Sequence, residues 1–161
     1  MNQRASEAAF HRAALLLGLT SGDAVIAWAD DIIANDHENA APFLDLSMIP
    51  PHDLSELRHA LEHIATRTDS LGLLRALFDI ARREELIGKR SAGDTITVLR
   101  QARSFLKLPD EYSLEIQKLD NDHMLARAGI EQDVTDVERR VRVWLAQFEN
   151  AENEFFEESR C

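Results

Sequence analysis

Apolar residues recur along this chain at helical spacing, and no segment alternates apolar and polar positions cleanly enough to make a strand. The pattern predicts a first helix from about Ser6 to Leu17, stopped by Gly18. A second opens at the capping-box spacing of Thr20-Ser21-Gly22-Asp23 and runs through about Asn35. Its apolar side carries Val25, Trp28, Ala29, Ile32 and Ile33, which leaves Asp23, Asp30 and Asp31 on the other. Pro42 precedes a short helical turn from Phe43 to Met48, and Pro50-Pro51 breaks the chain. Four further helices are predicted: Asp53 to about Thr66, Leu71 to Ile87 behind a Ser70 cap, Ser91 to about Lys107, and Asp110 to about Arg127. The last begins near Asp133 with a stripe of Val134, Val137, Val141, Trp144, Phe148, Ala151 and Phe155.

The expected fold is therefore all-α: a compact array of about seven helices plus one short one, with antiparallel neighbours and no sheet. Short loops and the absence of a Ser-, Gly- or Pro-rich linker point to one helical domain over residues 1–161. Its acidic end, 149–161, either frays or docks through Phe155, and docking is the expectation.

Composition narrows the compartment and the partner. Of 161 residues 45% are hydrophobic and 29% charged, the balance of a globular protein, and no run of eighteen apolar residues offers a membrane span. Glu7 and His11 interrupt the apolar N-terminal run, so no signal peptide is read there. The single cysteine, Cys161, excludes a disulfide framework and is expected to be an exposed thiol; a reducing cytoplasm is the expected location. The net charge of −11 is uneven. Between Arg12 and Arg58 there is no Lys or Arg but there are eight acids, whereas the stretch from Arg58 to Lys107 has a basic excess. Acidic ends argue against a nucleic-acid partner and favour a basic protein partner, with Asp23, Asp30, Asp31, Asp36 and Glu38 as the binding candidates. No cofactor is implied.

Two places carry candidate chemistry. HALEH, His59 to His63, resembles the H-x-x-E-H signature of the inverzincin zinc hydrolases, which implies a metal set of His59, Glu62 and His63. At about 100° per residue, however, Leu57, Leu61 and Ile64 share one side of that helix and both histidines fall on the opposite, solvent side. A catalytic zinc also needs a third ligand in a dry cavity, which the sequence does not identify. His123 behaves differently. Tyr112, Ile116, Leu119, His123, Ala126 and Ile130 define one helix face, so His123 is predicted to point at the core. With Tyr112 and Asp120 it is the candidate for a small-ligand pocket.

Finally, LGLTSGDAVIAWADDIIAND followed by APFLDLSMIPPHDLSELRHAL resembles a loose group of small helical bacterial proteins. These share a Gly turn, a capped helix with W-A-D-x-x-I, and a short L-x-L-S helix. Some are immunity-like, so the resemblance implies neutralisation of a toxin, with Trp28 and Ile32 as core positions and Asp30 as the functional residue on offer. The expected function is a non-enzymatic, protein-binding helical module. Metal-dependent hydrolysis at HALEH and ligand binding near His123 are the alternatives.

Overall fold

The computed structural model describes residues 3–38, 40–65, 70–130 and 133–159. The cap expected of the Ser70 side chain and the thiol expected of Cys161 both fall outside the described residues. Among those described, nine α-helices and one 3-10 turn form, with no strand. They run α1 (Gln3–Leu16), α2 (Gly22–Asn35), α3 (Ala41–Ser47), α4 (Leu54–Ile64), α5 (Ser70–Leu86), α6 (Ala92–Phe105), α7 (Asp110–Arg127), α8 (Val134–Leu145), a 3-10 turn (Ala146–Phe148) and α9 (Ala151–Glu158). No helix is long and apolar enough to cross a membrane.

The stripe read as one last helix is broken. Backbone hydrogen bonding tightens to 3-10 after Leu145, and Asn150 then adopts a left-handed conformation, φ 68°, before α9 restarts. Asparagine tolerates that region better than other side chains with a Cβ. Phe148, Ala151 and Phe155 nonetheless stay buried across the break, so α9 is docked over its described length.

The chain forms two compact units, residues 1–68 with 156–161, and residues 69–155. In the first, α1 packs on α4 and α2 on α3, around Ala8, Leu15, Val25, Ala29, Ile32, Phe43, Leu46, Leu57 and Leu61. Phe156 closes on Phe10 edge-to-face at 4.9 Å between ring centroids. The second unit centres on α5, whose Phe78 meets Phe148 at 5.2 Å in an aromatic cluster completed by Tyr112 and Trp144. Burying such rings contributes the larger share of a small core's stabilisation.

One local element recurs in both units. Gly18 (φ 66°) ends α1 and Gly88 (φ 72°) ends α5, each in the left-handed region that only glycine enters at no steric cost. The Leu19 N–H reaches back to the Ala14 carbonyl at 2.8 Å, and the Lys89 N–H reaches the Glu84 carbonyl at 2.9 Å. Three residues after each glycine a serine caps the next helix: Ser21 accepts from the Ala24 N–H, and Ser91 makes a reciprocal box with Asp94. The cap of α2 is thus Ser21 rather than Thr20. Burial matches at the same offset, with Gly22, Val25, Ala29 and Ile32 answering Ala92, Thr95, Leu99 and Ala102.

Gly22 is needed for close approach. A Cβ there would overlap the Pro51 carbonyl and touch a Leu57 methyl at 3.0 Å, whereas at Gly93 the nearest atom is 3.5 Å away. Gly22→Ala is therefore expected to lower stability by about 2–3 kcal/mol. Gly93→Ala should be neutral or slightly stabilising, because alanine is the better helix former. Urea denaturation measures both; equal midpoints would contradict the close packing of α2 on the Pro51 loop.

Candidate functional site

The acidic candidates separate into two groups. Asp23, Asp30 and Asp31 lie exposed along α2, with Ala27 and Ala34 between them, and none forms an ion pair among the described residues. Asp31 only accepts a hydrogen bond from the Asn35 side-chain amide. Asp36 does not join them, because Arg4 holds its carboxylate at 3.3 Å from α1. Glu38, exposed and without an ion pair among the described residues, borders a surface cavity of about 270 Å³ that Arg4, Phe43 and His63 also line.

The HALEH residues sit on α4 as helical geometry requires. Leu57 and Leu61 are fully buried, while His59 and His63 are exposed on the opposite side. Their Nε2 atoms are 3.2 Å apart, close to the separation that one tetrahedral zinc with nitrogens at about 2.0–2.1 Å would impose. Glu62 is turned to Arg12, 3.2 Å away on α1. No third carboxylate, histidine or thiol joins the pair among the described residues.

His123 is buried, at 8% exposure, as its place on the face of Ile116, Leu119 and Ala126 requires. Ile130, predicted to extend that face, is exposed because α7 has ended at Arg127. The ring of His123 forms no hydrogen bond among the described residues, and its nitrogens are not sealed from solvent. It opens onto a cavity of about 420 Å³ bounded by the start of α6, the end of α7 and the start of α8. The trio of His123, Tyr112 and Asp120 does not assemble there. Eleven residues of helix place Tyr112 about 16 Å along α7 from His123. Its ring belongs to the Phe78–Trp144–Phe148 cluster. Asp120 instead faces Arg100 at 3.7 Å.

Sequence reading did not single out His11 as a site. Its ring lies 4.4 Å from that of Trp28, and its Nδ1 is buried without a hydrogen-bond partner. Nearby, the buried Glu7 carboxylate accepts from Arg4 at 2.9 Å, Gln3 at 2.7 Å and the Trp28 indole at 3.3 Å. Burial lowers the His11 pKa from 6.5 to about 4, against an opposing pull from Glu7. The spacing of Glu7 and His11, one helical turn apart, was the available signal, but the approach of Trp28 from α2 to the ring is not local in sequence.

No family model matches this chain, and no curated protein or solved structure is significantly similar to it.

The depressed His11 pKa fixes a pH dependence. The unfolded chain takes up this proton below about pH 6.5 and the folded chain only near 4, so folding stability falls as pH drops through that window. The loss is on the order of 3 kcal/mol and is complete below the folded pKa. Urea melts at stepped pH should show the wild type losing more stability than His11→Phe between pH 6.5 and 4. Parallel pH profiles for the two would contradict the burial of a neutral imidazole.

Proposed function

We propose that the first unit is a non-enzymatic protein-binding module that receives a basic protein partner on the exposed face of α2. Immunity-like neutralisation of a basic toxin, in the cytoplasm, is its specific form.

One observation carries this reading: Asp23, Asp30 and Asp31 form an exposed row that no cation among the described residues pairs with. Some carboxylates elsewhere are paired, as Asp122 is with Arg140 at 2.6 Å and Asp136 with Arg139 at 2.6 Å. Uncompensated charge of one sign repels itself and keeps a field in the surrounding water, which steers an oppositely charged protein toward it. The same unit also exposes aliphatic side chains. Leu44 on α3 is 50% exposed, Met48 just after it 82%, and Leu54 at the start of α4 42%. Exposed acids and exposed aliphatic side chains in one unit suit an interface with an apolar centre and a charged rim. The W-A-D-x-x-I pattern fits the same surface, with Trp28 turned toward Glu7 and Asp30 turned to solvent.

Recovery of partners on the immobilised protein tests the proposal, comparing wild type with the triple variant Asp23→Asn, Asp30→Asn, Asp31→Asn. A basic protein should be retained by the wild type at low salt. Its affinity should fall by at least about tenfold at high salt and by a similar factor for the variant. Salt-insensitive retention, or equal retention by both proteins, would overturn the reading.

A further inference from the structure

The cavity under His123 is lined by two opposite charges that do not pair with each other. Arginines elsewhere in the second unit are routinely engaged: Arg82 by Asp79, Arg90 by Glu84, Arg100 by Asp120, Arg140 by Asp122 and Arg142 by Glu85. Arg103 donates to Ser113 and Gln117. Arg127, at the end of α7, forms no hydrogen bond or ion pair among the described residues. It lines the cavity. Glu138, on α8, lines the same cavity and is equally without a partner, although Asp136, Arg139 and Arg140 around it are all paired. The two opposite charges face one volume and do not close on each other.

A ligand of one sign would satisfy one of these groups and be repelled by the other. A ligand that carries both signs satisfies both. Between them the cavity offers Val134 and Ala126 as apolar wall and the unbonded His123 ring as a polar group at the buried end. Gly93 keeps that end open. With no side chain of its own, it leaves the His123 ring edge, Cε1 and Nε2, facing free space 3.5–3.7 Å from where a Cβ would stand. The ring nitrogens of His123 reach solvent, so a ligand's polar group would there take the place of water. The cavity, about 420 Å³, is shallow and open to solvent, so a small ligand would be held there by its charged groups rather than by enclosure.

We propose that this cavity binds a small zwitterion of the α-amino acid class. The ligand's carboxylate sits against the Arg127 guanidinium and its ammonium against Glu138, while a side-chain polar group reaches His123. The site involves the second unit alone and is independent of the acidic face of α2.

Amide NMR spectra of the ¹⁵N-labelled full chain, titrated with each of the proteinogenic amino acids singly, test the proposal. At least one should shift the Gly93 and His123 amide resonances in a saturable manner at millimolar concentration or below. The N-acetyl and the carboxamide derivatives of that amino acid, each lacking one charge, should bind at least about tenfold more weakly. Arg127→Gln and Glu138→Gln should each weaken binding of the parent by a comparable factor. Because Arg127 is exposed, its variant should leave the remaining spectrum unchanged. No saturable shift with any amino acid, equal binding of the derivatives, or wild-type binding by both variants would each overturn the assignment.

Discussion

A carboxylate removed from water must be met by a cation or give up its charge, because desolvation costs several kcal/mol per ion. This chain buries four carboxylates among its described residues, Glu7, Asp79, Glu84 and Glu85, and an arginine meets each of them. Three belong to α5, which lets one helix organise much of the second unit. Asp79 takes both the Nε and an Nη of Arg82 on one oxygen, and on the other the Glu152 N–H at the start of α9. Glu84 holds Arg90 and Lys89 on the turn that leads into α6. Burial alone would raise the Glu84 pKa, but the hydrogen bonds from Lys89 and Arg90 outweigh it and hold the group below its usual range. Glu85 reaches Arg142 on α8 at 2.7 Å. In the first unit Glu7 does the same work, tying α1 to the Trp28 indole of α2, while its partner Arg4 extends to Asp36.

Two sets of charges without ion pairs among the described residues carry the proposals made for each unit. The row on α2 is exposed and of one sign, which suits a macromolecule arriving through solvent. Arg127 and Glu138 are of opposite sign and share a cavity with a buried histidine, which suits something small enough to enter. Both surfaces lie on helices whose opposite faces are committed to the core. Val25, Ala29 and Ile32 fix the rotation of α2, and Val137 and Val141 fix that of α8, so neither set of charges can turn away to find an internal partner.

Much of this was legible in the sequence because it is local. Helix periodicity fixed which residues of α2, α4 and α7 turn inward, including the outward His59 and His63 and the inward His123. Glycine stops and serine caps act within one turn, and they placed the ends of α1, α2, α5 and α6. Ion pairs between helices act over distance. Glu85 and Arg142 are 57 residues apart, Arg4 and Asp36 are 32 apart, and no spacing rule relates them. For the same reason Asp36 could not be told from its unpaired neighbours, and Tyr112 could not be assigned to the Trp144 cluster rather than to His123. The break at Asn150 escaped because the apolar stripe continues through it.

Comparative unfolding of two single-charge variants tests most directly whether buried pairs hold this fold while the exposed row does not. Asp79→Asn keeps the shape of a carboxylate that is 2% exposed but removes the charge that Arg82 requires, and it should lower stability by about 3 kcal/mol. Asp30→Asn, on the exposed face of α2, should leave stability within about 0.5 kcal/mol of the wild type. Equal losses from the two substitutions, or a larger loss at Asp30, would contradict the division between charges that build the fold and charges left for a partner.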